Sequence, residues 1–188
     1  MIEKMQQEGY KSDAAEARIC QDIVLKAISE SPLSDNVTIK GGVVMRSITN
    51  DIRRATQDMD IEQEEYCFDI AFDDKGASLL INTREQMFTE KLRSLLKFGT
   101  FSTRYKDIYD MYYQCGKMNE SKLFQCIKIL IFDDPGMKEN NMSDIVNRIE
   151  KVFTDTSFKN KVDKSDKRWL DDDISVVFET ILKFICEF

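Results

Sequence analysis

Two groups of residues in one stretch have the types and spacing for phosphate and metal chemistry: Lys40-Gly41-Gly42, and after them Asp58 and Asp60. Consecutive glycines let a ligand approach the main chain closely. They follow Val37-Thr38-Ile39, a β-branched run that reads as a short strand. They precede Val44, Met45, Ile48 and Ile52, whose spacing predicts a helix. The glycines therefore fall at a strand-to-helix turn, where free amides and the helix dipole favour an anion. Asp58 and Asp60 are one residue apart, so in extended chain both carboxylates project from the same face. Like charges that close repel, and a hard divalent cation relieves them. Mg²⁺ is held in this way, by carboxylates together with substrate phosphates.

With their neighbours, these segments read IKGGVVM and RRATQDMDI. They resemble the nucleotidyltransferase AbiEii/AbiGii toxin family, whose members carry Lys-Gly-Gly-x-x-Leu and then Arg-x-Ser/Thr-x-Asp-x-Asp. The resemblance puts Arg54 and Thr56, with Lys40, Gly41 and Gly42, at nucleotide-binding positions, and makes Asp58 and Asp60 catalytic metal ligands. Val43 departs from the pattern, since the family often has Ser or Thr there to hydrogen-bond a phosphate. Relatives also use a third carboxylate on a neighbouring strand, and Asp69 is the candidate for it. Only about thirty residues separate Asp60 from the next motif, far fewer than in most members. Either Asp69 substitutes for the third ligand, or the core has been cut down and that ligand lost.

Two further motifs extend the resemblance to about residue 113. Arg84 to Phe98 reads as an amphipathic helix with Met87, Phe88, Leu92, Leu95, Leu96 and Phe98 on one arc, and Lys91 falls inside that arc. By position alone its stem could snorkel to solvent. EQMFTEKLRSLLKFG resembles the family's Glu-x-x-x-x-Glu-Lys-Leu helix, whose lysine serves the active site. RYKDIYDM then resembles its Arg-x-Lys-Asp-x-Tyr-Asp-Leu motif. That resemblance gives Arg104 and Lys106 to phosphate or carboxylate contacts and makes Asp107 or Asp110 an essential acid. Read from the residues, Asp107, Asp110 and Gln114 form one polar stripe, which could equally be an exposed acidic face beside a tyrosine-lined one.

The bulk composition narrows the chemistry further. The 188 residues are 42% hydrophobic and 32% charged, as in a soluble globular chain able to bury a sizeable core. There is no histidine, which excludes histidine-based triads and metal sites and leaves carboxylates, Lys, Arg and metal. Five cysteines without C-x-x-C spacing argue for reduced thiols in a cytoplasmic setting. No apolar run is long enough for a membrane span. The formal charge of −7 counts against a broad nucleic-acid surface but leaves room for a local basic groove.

The elements expected to position these residues give an α+β fold. A small nucleotidyltransferase-like mixed sheet with flanking helices occupies residues 1–83, and a helical C-terminal part occupies 84–188. Residues 1–11 read as frayed, and a helix follows from an Asp13–Glu16 capping box with Ala17, Cys20, Ile23, Val24, Ala27 and Ile28 as its apolar stripe. Tyr66 to Phe72 reads as a strand, Asp73-Asp74-Lys75-Gly76 as a hairpin turn and Ser78 to Ile81 as the returning strand. Further helices are expected over Leu123 to Phe132, from a Ser143 cap to Phe153, and from Asp172 to Phe188, with a loop from Thr154 to Arg168.

The resemblance implies transfer of a nucleotide from a nucleoside triphosphate to an acceptor, an RNA such as tRNA in some relatives, with Mg²⁺ and a cognate antitoxin as partners. The alternative is a shortened relative without catalysis that binds nucleotide, RNA or antitoxin.

Overall fold

The computed structural model describes residues 2–39, 42–49 and 65–188, the side chain of Lys4 excepted. They are mixed α+β, in two compact units, Met1–Thr83 and Arg84–Phe188. None of the described helices is long and apolar enough to cross a membrane.

The first unit is built on strand β3, Asp73–Ile81. It lies between β1, Thr38–Ile39, and β2, Glu65–Ile70, parallel to the former and antiparallel to the latter. Phe68, Ile70, Ala77, Leu79 and Ile81 alternate inward, as a sheet buried on one face requires. The hairpin turn is not where the Asp-Asp-Lys-Gly sequence suggests. Ile70 pairs with Asp73, so Ala71 and Phe72 form the loop, Phe72 is 42% exposed, and Asp73 to Gly76 lie within β3. The reason is an irregularity that Gly76 makes possible. Phe68 pairs with Ala77, so β3 holds extra residues opposite Asp69, and Gly76 absorbs them at φ +69°. A Cβ there would meet the Phe68 carbonyl oxygen at 2.6 Å.

Helix α2, Ser12–Ser29, clamps this hairpin: the Lys26 ammonium pairs with the Asp73 carboxylate and donates to the Gly76 carbonyl at 3.1 Å. Its expected stripe is rotated. Ile23 and Val24 are 52% and 39% exposed, while Ala15, Gln21, Asp22 and Leu25 face inward. Its N-cap position is Lys11, which makes no side-chain cap. Residues 2–7 form a short helix, α1, with Met5 buried, and are not frayed coil. Helix α3, Gly42–Thr49, buries Val43, Val44 and Met45 completely.

The second unit is helical. Helix α4 runs Arg84–Phe98, followed by a 3₁₀ turn, Gly99–Phe101, and α5, Tyr105–Gln114. Then come α6, Glu120–Ile127, continued by a π turn to Phe132, α7, Met142–Phe153, α8, Thr156–Asp163, and α9, Ile174–Cys186. Helix α8 lies where a loop was expected. Asp155 caps it by accepting from the Phe158 N–H at 2.7 Å, and Phe158 and Val162 anchor it in the core. Burying two such side chains is worth roughly 1.5–3 kcal/mol each, enough to fix a lysine-rich segment as helix. Asn141, not Ser143, caps α7 by accepting from the Asp144 N–H at 3.0 Å. The core closes around Trp169, 1% exposed, and the Phe153–Phe178 ring stack at 4.0 Å.

Candidate functional site

In the first unit the strand pairing fixes where the chemistry-bearing stretch begins and ends. Ile39 pairs with Ile81 and Glu65 with Leu80, so the chain from 40 to 64 leaves and re-enters the sheet at the same end of β3. That is the carboxyl end of the parallel pair, where ligands bind in α/β sheets. Gly42, the only one of the predicted phosphate-turn residues within the described set, is buried and opens α3 there. Lys40, Gly41, Arg54, Thr56, Asp58 and Asp60 lie outside the described residues.

Asp69 is exposed, four residues along β2 from Glu65. At a strand rise of about 3.3 Å per residue it sits roughly 13 Å towards the hairpin loop. Its backbone oxygen accepts from Arg18 Nη2 at 2.7 Å. No group of three or more carboxylate or cysteine side chains suited to a metal forms among the described residues.

Near that end of the hairpin is a charge cluster that the sequence pattern did not reveal. The Asp22 side chain is fully buried; its Oδ2 accepts from the Ala71 N–H at 3.0 Å, and Arg18 Nε lies 2.9 Å from both carboxylate oxygens. Burial pushes the Asp22 carboxyl above the usual carboxylate range, with the Ala71 N–H and Arg18 opposing that shift. Arg46, on α3 and 2% exposed, places Nη2 3.8 Å from Asp22 Oδ1, while its Nε and Nη1 make no hydrogen bond with the described residues.

In the second unit, Lys91 does not snorkel. It is 8% exposed, with Nζ 3.3 Å from Asp107 Oδ1 and 3.1 Å from Asp110 Oδ2. Asp110 is fully buried, and Asp107 also pairs with Arg104 Nε at 2.6 Å. The stripe of Asp107, Asp110 and Gln114 is thus inward-facing and not a solvated acidic face. Its carboxylates reach Lys91 because α4 packs against α5 with the lysine inside its apolar arc. Two acids and two bases give a set of zero formal charge, the condition under which such groups tolerate burial. Arg104, with 63% of its side chain exposed, is the member that solvent reaches most readily. Glu85, the first acid of the helix motif, accepts from the Asn119 N–H at 2.6 Å, which ties α4 to the start of α6.

Comparison with family models, curated proteins and solved structures gave no match.

Of the predicted site residues, Lys91, Arg104, Asp107 and Asp110 are therefore brought together in one unit. Asp69 and Gly42 stand in the other, at different ends of its sheet. The Lys91 ammonium is held in place by two carboxylates that offset its charge, and Arg104 is the exposed cation of the set.

Proposed function

We propose that the protein is a metal-dependent nucleotidyltransferase of the AbiEii/AbiGii toxin type. The observation that carries this reading is the shared exit: the stretch holding Lys40-Gly41-Gly42 and the Asp58/Asp60 pair is tethered at both ends to the carboxyl end of parallel strands. A glycine turn opening a helix beside a parallel strand is suited to phosphate through its amides and helix dipole. Two aspartates one residue apart are an all-oxygen donor set of the kind a hard divalent cation takes. Asp58 and Asp60 would hold Mg²⁺, which when bound neutralises charge on phosphoryl oxygens. Asp69 is the candidate for a third ligand, the alternative being that this ligand has been lost.

The chain's own residues supply the rest of the chemistry in this reading. Lys40, Gly41, Gly42, Arg54 and Thr56 bind and orient the triphosphate. In the second unit, Lys91, held by Asp107 and Asp110, and the exposed Arg104 are the groups that the resemblance gives to phosphate. An acceptor oxygen attacks the α-phosphorus, pyrophosphate leaves, and the acceptor gains a nucleotidyl group.

The test is incubation of the purified chain with Mg²⁺, labelled nucleoside triphosphates and total RNA. Labelled RNA is expected from the wild type and none from an Asp58→Ala, Asp60→Ala double variant. Equal labelling by the double variant would remove these aspartates from the reaction.

A further inference from the structure

The turn after α4 carries a feature that nucleotide transfer does not use. Phe98 is 51% exposed and Phe101, on the 3₁₀ turn, is 89% exposed. Both flank Gly99, whose φ of +53° turns the chain and whose missing side chain leaves room for a neighbour. That neighbour is the Arg148 guanidinium, since a Cβ at Gly99 would lie 2.9 Å from Arg148 Nη2. Arg148, Lys97 and Lys138 line a cleft of about 170 Å³ with Glu139 as the single acid among the lining residues. None of the three cations forms an ion pair with the described residues; the nearby Arg93 and Asp134 neutralise each other. Lys97 acts at longer range, helping to hold the Asp134 carboxyl below its usual range after the Gly136 N–H and Arg93.

We infer that this turn and cleft bind single-stranded nucleic acid. Three cations without an ion pair among the described residues, against one acid, match a run of phosphates, and the exposed rings of Phe98 and Phe101, on the turn whose Gly99 meets Arg148, match unstacked bases. That combination of basic groove and aromatic platform is how sequence-tolerant single-strand binding works. An acidic peptide would answer the cations and leave the rings in water. The inference is independent of the proposed reaction, because binding needs neither metal nor triphosphate.

The experiment uses fluorescence anisotropy of the full chain with a labelled oligo(U) strand, without Mg²⁺ or nucleotide, at several salt concentrations. Affinity should fall with salt at a slope of about −2 in log–log form, at roughly 0.7 for each of three phosphates. Phe101→Ala should weaken binding at least about fivefold. A Lys97→Ala, Lys138→Ala, Arg148→Ala variant should lose most of the salt slope, and a blunt duplex should bind at least about tenfold more weakly. All the replaced side chains are exposed, and unchanged Trp169 emission checks that the variants fold. Absent single-strand binding at low salt overturns the inference, as does binding that the triple variant retains. Binding that ignores Phe101→Ala and accepts duplex equally also overturns it, since cations alone would then suffice. Loss of nucleotide transfer with binding intact would count only against the reaction.

Discussion

Replacing Lys91 by methionine keeps the side chain's length and removes its charge. The structure sets the size of the effect. Lys91 is buried against the Asp107 and Asp110 carboxylates; on its removal Asp107 retains Arg104 at 2.6 Å and Asp110 keeps a further interaction. Removing one partner of a buried pair costs about 3–5 kcal/mol, and the surviving Arg104 contact puts this case near the lower end. For a unit of this size each kcal/mol moves the melting temperature by about 4–8 °C, so the drop should be on the order of 10–20 °C. Trp169 is the sole tryptophan and is buried in the second unit, so its fluorescence reads that unit's unfolding. Adding Asp110→Asn should recover at least about half of the loss, because a neutral amide needs no counter-charge. A melting temperature within about 2 °C of wild type would refute the reasoning, showing the ammonium to contribute nothing to the fold. In the double variant, nucleotide transfer can be assayed with a smaller folding defect.

Two other outcomes follow from burial. Because the folded Asp22 carboxyl is held above its ordinary value of 3.8, the folded first unit binds that proton more tightly than the unfolded chain. The associated stabilisation is complete below the ordinary value and is lost as pH rises through the folded one. Urea unfolding from about pH 4 to about pH 8 should show this decline in the wild type and not in Asp22→Asn; identical pH dependence would sink the idea. Burial pushes the Cys115 thiol up to about 12, whereas Cys20, Cys67 and Cys186 are exposed. At mildly alkaline pH a thiol reagent followed by mass spectrometry should label those three well before Cys115, and simultaneous labelling would contradict this.

The sequence disclosed the site in the second unit better than the first. Lys91 inside an apolar arc and Asp107 and Asp110 on one stripe were visible, with snorkelling and an exposed acidic face left open; their meeting depends on how α4 packs against α5. Helix α4 was legible at both ends, its apolar period being unbroken from Met87 to Leu96. Helix α8 was not, since two anchors, Phe158 and Val162, are too few to stand out among lysines. The hairpin turn was misplaced because Gly76 was read as a turn glycine when its left-handed dihedral serves an irregular strand. Asp22 and Arg46 gave no periodic signal: their burial depends on partners distant in sequence, such as the Ala71 amide 49 positions away. Phe101 was hidden in a turn whose composition reads as polar.

The pairing of Ile39 and Glu65 with adjacent residues of β3 has an evolutionary corollary. Because the two ends of the chain between them are held close together by β3, lengthening a flexible loop between such fixed ends costs only about 0.6 kcal/mol per doubling. Reactive side chains can thus be exchanged by insertion or deletion while strand register, and with it the scaffold, stays unaltered.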